Sequence, residues 1–224
     1  MGGDGATHAG IFDVSFLRCI PDIVIMSPSD ENECWKMLTT AYEYAGPAAV
    51  RYPRGEGPGA EINTNFDSID IGKARTLREE NSDIVIFSFG NMLNLSEEIA
   101  NELQCSLIDM RFIKPLDEDL IEKCATKYKH LISIEENVIS GGAGSAVNEF
   151  LSKLGYSEKL RIFGIPDEFP IVGNQEDQRE AAGPVGPAAA DVQLQRDMGP
   201  ANSAFMSSHD RLRHGRSRSC GAID

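Results

Sequence analysis

The chain has 224 residues, with 21 Lys and Arg against 35 Asp and Glu, for a formal net charge of −14. At ~100–200 residues per domain this is one large domain or two small ones. With 41% hydrophobic and 25% charged residues it has the composition of a chain with a core, and the acidic balance argues against a general binder of nucleic acid or anionic membrane.

In chain order, the stretch DIVIMS from Asp22 is short, apolar and β-branched, and predicts a buried strand. Ser29 or Asp30 can cap the helix that follows, and Asp30 with Glu33 has the spacing of a capping box. Cys34, Met37, Leu38, Ala41, Tyr42 and Ala45 recur at helical spacing and predict its buried stripe. Gly46-Pro47 stops that helix, and AAVRY returns as a strand. PRGEGPG and a polar stretch to about Ile69 then form the best internal boundary. This first unit shows one evident βαβ, which is expected to leave sheet edge and apolar face uncovered.

Beyond the boundary the alternation restarts. DIVIFSF is a strand, Met92 to Leu103 a helix and CSLIDM a strand. A helix from Leu116 to Tyr128, over Leu116, Leu120, Ile121 and Cys124, leads to the strand HLISIEE. A helix from Gly144 to Leu154, over Val147, Phe150, Leu151 and Leu154, leads to the last strand, LRIFGIP. Strands alternating with helices of this length imply right-handed crossovers and a mostly parallel sheet, so the fold class is α/β. From Pro184 onward five arginines face four aspartates, so the acidity belongs to the first 183 residues. The ending is poor in aliphatics and reads as a disordered tail with solvated arginines. A nucleic-acid arm is the weaker alternative, because no aromatic interleaves with those arginines.

No apolar run approaches the roughly 18–20 residues that span a bilayer. The opening MGGDGATHAG lacks the basic and apolar regions of a secretory signal. Cys19, Cys34, Cys105, Cys124 and Cys220 are odd in number, scattered, and form no C-x-x-C pair. Most sit in apolar stretches and read as small core residues in a reducing compartment, which makes the expectation a soluble cytoplasmic protein.

Three segments could carry chemistry. Asp4-Gly5-Ala6-Thr7-His8-Ala9-Gly10 sets a carboxylate and an imidazole four residues apart in backbone small enough to approach a ligand. Taken alone, a His near a terminus is more often solvated or structural. Arg51-Tyr52-Pro53-Arg54-Gly55 ends a predicted strand, where an Arg can fork onto phosphate or carboxylate; spacing alone favours a surface turn with solvated arginines. Gly141-Gly142-Ala143-Gly144 sits between strand and helix, where a phosphate cradle would be. Val147 stands where the dinucleotide pattern needs a small residue, and no P-loop Lys-Ser/Thr follows. Glu135 and Glu136 would also repel phosphate, so tight strand-to-helix packing is the better reading; adjacent on a strand, the two point to opposite faces and are no acid/base pair. His130, Trp35 and the methionines form no ligand-like group.

At these residues the chain resembles a known family. DGATHAGIFDVSFLRCIPDIVIMSPSDENE followed by AVRYPRG is similar to the pyrimidine-binding domain of the 1-deoxy-D-xylulose-5-phosphate synthase family. SLIDMRFIKPLDEDLI, SIEENVISGGAGSAVNEFL and GIPDEF resemble the same family's transketolase-like C-terminal domain. The motifs run in order from Asp4 to about Phe169 and fade by Gly183. The resemblance implies residues 1–58 as the C-terminal part of the pyrimidine-binding domain, 59–75 as linker, 76–183 as a transketolase C-terminal-like α/β domain with a mostly parallel sheet, and 184–224 as a disordered or aberrant tail.

The family joins pyruvate to glyceraldehyde 3-phosphate with loss of carbon dioxide, using thiamine diphosphate and Mg2+. Its product feeds isoprenoid, thiamine and pyridoxal synthesis, and its members are homodimers. By resemblance His8 would shuttle a proton as the aldehyde oxygen becomes an alkoxide. Asp4 would contact the acceptor or orient its neighbours, and Arg54 would hold the aldehyde's phosphate. The family's diphosphate and metal segment, its activating glutamate and its ring-stacking aromatic have no counterpart here. The chain thus corresponds to the last third of such an enzyme and is expected to be inactive alone. A non-catalytic dimerisation or regulatory module is the alternative. A 2-oxo-acid dehydrogenase beta subunit shares the fold, but SDENE, RYPRG and IEEN…GGAG match the synthase better.

Overall fold

A computed structural model describes residues 10–53 and 57–167, all within one compact unit that spans residues 1–183. Asp4, His8 and Arg54 lie outside the described residues, as do residues 168–224 with the tail.

The first half contributes a short helix α1 (Asp13–Leu17), strand β1 (Val24–Met26), helix α2 (Glu31–Glu43) and strand β2 (Ala48–Val50). After a stretch whose described residues carry no helix or strand come β3 (Arg75–Arg78), β4 (Ile84–Ser88), α3 (Leu93–Leu103), β5 (Ser106–Asp109) and β6 (Phe112–Lys114). Helix α4 (Glu118–Lys127), β7 (His130–Val138), α5 (Ala143–Leu154) and β8 (Leu160–Ile165) complete the order. Five strands form one sheet in the order β3-β5-β4-β7-β8, parallel except for β3, which runs antiparallel to β5 at the edge. Every residue of β4 and β5 is buried, as strands covered on both faces must be. The α/β class and the mostly parallel sheet agree with the sequence.

Three elements escape the pattern. β3, with the sequence RTLR, is a polar edge strand, while α1 and β6 have five and three residues, too short to show a period. Of these β6 matters most. It leaves β5 through Arg111, whose φ of +57° turns the chain sharply, and joins the other sheet, whose order is β2-β1-β6. β1 pairs parallel with β2 on one side and antiparallel with β6 on the other. The edge of β1 that the sequence left open is therefore closed from the second half of the chain.

The core is shared as well. Ile23 and Ile25 join Val85, Phe87, Met110 and Leu131 in the main apolar cluster, while Val24 and Met26 face the opposite way and pack with Met37 and Phe112. That is the period of two expected of a strand covered on both faces.

Helix α2 departs from the expected stripe. Asp30 does cap it, accepting from the backbone N–H of Glu33 at 2.7 Å. The buried line, however, is Glu33, Met37 and Thr40, while Leu38 is 48% and Tyr42 91% exposed, Cys34 and Ala41 are half-buried, and Ala45 lies exposed beyond the helix. Polar partners set this rotation. The Glu33 carboxylate reaches Arg111 and Arg75, and the Thr40 hydroxyl accepts from the N–H of Ile69 at 2.9 Å. Glu31 accepts from the N–H groups of Gly59 and Ala60 at 2.9 and 3.0 Å, and Asn32 from that of Asn63 at 2.9 Å. Trp35 donates to the Asn65 carbonyl at 3.1 Å, so the chain after Gly57 is strapped along the helix that precedes it. Among the cysteines, Cys105 and Cys124 are core residues, Cys34 is half-buried and Cys19 exposed; these four are free thiols. Among the described residues no helix is long and apolar enough to cross a membrane.

Candidate functional site

Near the segments that carry Asp4, His8 and Arg54, the described structure begins at Gly10 and includes Arg51, Tyr52 and Pro53. Arg51 opens the RYPRG segment at the end of β2, and its backbone N–H still bonds to the Met26 carbonyl at 2.8 Å, extending the sheet register. Its side chain is 14% exposed and fully engaged. Nε donates to the Asp13 carboxylate at 3.2 and 3.4 Å, and Nη1 to Oε2 of Glu136 at 3.2 Å. Nη2 donates to the carbonyls of Gly10 at 3.0 Å and Glu136 at 2.7 Å. The surface-turn reading thus fails at Arg51. Its charge is compensated by two carboxylates from segments that the sequence separates widely, which pattern reading along the chain cannot detect.

Glu136 and Glu135 point to opposite faces of β7, as their adjacency requires. Glu135 is 3% exposed and lies beneath the first turn of α5. Its two oxygens accept from the backbone N–H groups of Ala143 at 2.6 Å and Gly144 at 2.7 Å. These are unpaired donors at the positive end of a helix, the natural seat of an anion. Burial pushes the Glu135 carboxyl up to about 7, against the pull of the Gly144 and Ala143 N–H groups and, farther off, Arg18 and Arg51. The glycine-rich turn is a packing device, as the sequence suggested, with the chain's own carboxylate inside it.

Helix α1 closes over this turn. Arg18 donates to the carbonyls of Gly141 and Gly142 at 2.7 and 3.0 Å and pairs with Glu149 at 2.7 Å. Ser15 donates to the Ser140 carbonyl at 2.7 Å and accepts from Nδ2 of Asn137 at 3.0 Å. The segment that follows Gly10 is in this way fastened to the loop between β7 and α5. Ser15, Arg18 and Asn137 gave no sequence signal, because none belongs to a periodic or motif-like pattern.

A second charged cluster joins the two sheets. Oε2 of buried Glu33 lies 2.7 Å from Nε of Arg111, an ion pair outside hydrogen-bond geometry, while Oε1 accepts from Nη2 at 3.0 Å. Arg75 lies 3.5 Å from Glu33 and 3.0 Å from Asp109, which also accepts from Ser29 at 3.0 Å. Burial raises the Asp109 carboxyl, and Arg75 and Ser29 pull the other way. Every charge here faces an opposite one, so the cluster is a fastening between the two sheets.

The described residues do not fit the diphosphate and Mg2+ that the resemblance implies. The turn before α5 already holds Glu135, whose charge would repel a phosphate, and among the described residues no three of His, Cys, Asp and Glu form a metal-binding group.

The family model of the transketolase pyrimidine-binding domain matches residues 1–59, and that of the transketolase C-terminal domain matches residues 72–188. A 1-deoxy-D-xylulose-5-phosphate synthase of Hahella chejuensis is 53% identical over 169 residues, covering 75% of this chain and 26% of that one. A synthase of the same name from Vibrio cholerae is 46% identical over 187 residues, covering 82% of this chain and 30% of its own. The chain therefore spans between 26% and 30% of the length of these curated relatives. Among solved structures, a split-gene transketolase described as an inactive β4 tetramer has a TM-score of 0.70 at 26% identity, over 80% of this chain and 58% of that one. A transketolase from Campylobacter jejuni has a TM-score of 0.59 at 20% identity, over 87% of this chain and 29% of its own, and shares the fold.

Proposed function

The chain belongs to the transketolase family, and from that membership we propose that it supplies the C-terminal portion of a 1-deoxy-D-xylulose-5-phosphate synthase. The observation that carries this reading is 53% identity to such a synthase over 169 residues. In the assembled enzyme, a cytoplasmic homodimer, pyruvate and glyceraldehyde 3-phosphate are joined with loss of carbon dioxide. The family's thiamine diphosphate and Mg2+ would supply the electron sink, and none of the described residues is assigned to hold them. This portion supplies the acceptor end of the site. His8 delivers a proton to the aldehyde oxygen as the new bond forms, the work suited to an imidazole at neutral pH. Arg54 forks onto the phosphate of the aldehyde, and Asp4 orients the acceptor beside His8.

The residues of this chain alone do not make the product. The test is to purify the 224-residue chain and assay deoxyxylulose phosphate formation with and without a separately expressed N-terminal portion of the Hahella chejuensis relative. The expected result is no turnover and no thiamine diphosphate binding by the chain alone, and turnover with the added portion that falls at least 100-fold in H8A (~10²–10⁴ for a general acid or base). Turnover by the chain alone would remove the claim of inactivity. A complemented enzyme indifferent to H8A would remove the assigned site.

A second reading is a non-catalytic assembly module, favoured by the likeness to the inactive split-gene tetramer. Under it the chain forms a stable oligomer by itself and the N-terminal portion adds no turnover.

A further inference from the structure

Of the six residues that the sequence offers as the buried stripe of α2, only Met37 is buried. At about 100° per residue, Cys34, Leu38, Ala41 and Tyr42 share one flank of the helix, where Leu38 is 48% and Tyr42 91% exposed. The opposite flank carries Asn32 and Thr39 and lies under the chain after Gly57, which bonds to Asn32 through Asn63 and to Thr40 through Ile69. That chain leads on to the end of β6, where a Cβ on Gly72 would meet Cγ of Pro115 at 3.0 Å. The apolar stripe therefore faces away from β6, on the side of β2.

The outer edge of β2 continues this surface. Val24 donates to the Pro47 carbonyl at 2.9 Å, and Arg51 to the Met26 carbonyl at 2.8 Å. Alternate residues of a strand address alternate neighbours, so residues 47, 49 and 51 face β1 and the N–H and C=O groups of Ala48 and Val50 point to the other side. Among the described residues β2 pairs with β1 alone. Neither Ala48 nor Val50 is the charge or proline that blunts a natural sheet edge. A parallel strand with an open edge, beside a helix with an uncovered apolar stripe, is a template for a further strand and the apolar surface that accompanies it.

We infer that the outer edge of β2 and the Leu38–Tyr42 stripe of α2 form one docking surface for the N-terminal portion of the synthase. A strand of that portion adds to Ala48–Val50, and its apolar side chains cover Leu38 and Tyr42. This rests on the synthase reading given above. The chain covers only 26% and 30% of the two synthases compared, so most of their length can serve as the occupant. The net charge of −14 opposes nucleic acid and anionic lipid, and a second copy would bring the same charge with it.

Amide exchange separates this surface from any other. The 224-residue chain is followed by NMR alone and with the N-terminal portion of the Hahella chejuensis relative. On addition, exchange of the Ala48 and Val50 amides should slow by at least ~10-fold, while the Arg51 amide, already bonded to Met26, changes little. In calorimetric titration the L38Q/Y42Q variant should bind the added portion at least ~10-fold more weakly, with the thermal midpoint of the chain alone unchanged. L77Q, at a leucine 37% exposed on β3, should bind as the wild type does. Binding that leaves Ala48 and Val50 unprotected, binding indifferent to L38Q/Y42Q, or no binding overturns the inference. So does protection of Ala48 and Val50 by self-association, which would make a second copy the occupant. Docking as expected without product formation removes the synthase reading and leaves the surface standing; product formation with Ala48 and Val50 unprotected does the reverse.

Discussion

Oε1 of Glu135 accepts a hydrogen bond from the backbone N–H of Gly144 at 2.7 Å, and the two residues stand nine apart across a strand-to-helix turn. The carboxylate satisfies helix donors but pays for it in desolvation, and the balance leaves it at about 7, above the ordinary value of 4.5. The native state consequently binds a proton more tightly than the unfolded state between these values. By linkage, the contribution of Glu135 to stability is most favourable below the ordinary glutamate range. It declines as pH rises through about 7, by up to about 3 kcal/mol. Urea unfolding at pH 5.5 and pH 8 should therefore show the wild type losing stability relative to E135Q at the higher pH. A difference between the two proteins that does not change with pH would contradict this.

Gly144 makes its own prediction. A Cβ there would meet Cγ2 of Ile162 and Oγ of Ser133, each at 2.5 Å, both on strands beneath the helix. Alanine ordinarily favours a helix over glycine by ~0.8–1.0 kcal/mol. Here the overlap opposes it, because close-packed interiors resist added volume at a cost of ~1–3 kcal/mol. G144A should lower the thermal midpoint, whereas the same change at an exposed helical position would raise it. Calorimetry of G144A beside the wild type checks the sign.

These two residues also mark where the sequence was legible. The glycine run before α5 reads as close packing because strand and helix flank it and no phosphate motif completes it. The five-stranded sheet is legible because its central strands are continuous apolar runs between amphipathic helices. What could not be read depended on partners distant in the chain. α2 turns its Glu33 line inward because Arg111, 78 residues later, awaits it. Arg51 is half-buried and fully paired because Asp13 and Glu136 meet there. His8, Asp4 and Arg54 were singled out through resemblance alone, and they lie outside the described residues.

The Glu33 cluster predicts a large loss from a single change. Glu33 is fully buried beside Arg111 and Arg75, so E33A leaves two guanidinium groups facing an empty site, with Lys36 nearby at 3.6 Å from the lost oxygen. Breaking a buried pair from one side costs ~3–5 kcal/mol, while replacing both partners by apolar groups is often neutral. Partial exposure of Arg75 lowers the expectation for E33A to about 2–4 kcal/mol. The E33L/R111M double variant should recover at least half of that loss. Chemical denaturation of E33L, R111M and the double variant measures the coupling, and strict additivity would show that the ion pair is not the source.

Because β6 completes the sheet of β1, and Ile23 and Ile25 lie in the same apolar cluster as Phe87 and Leu131, the two halves of the described structure should unfold together. The sequence suggested instead a first half whose sheet edge and apolar face are left uncovered. The shared core opposes that expectation, since removing residues 10–53 would expose one edge of β6 and uncover the apolar side of β4 and β5 that Ile23 and Ile25 protect. Backbone amides of β1, β4 and β7 should then exchange with similar protection in the native chain, at the level of global unfolding. Limited proteolysis should leave a core beginning before Pro53. Early exchange of β1 with β4 still protected, or a proteolytic core beginning after Gly57, would restore the independent second half.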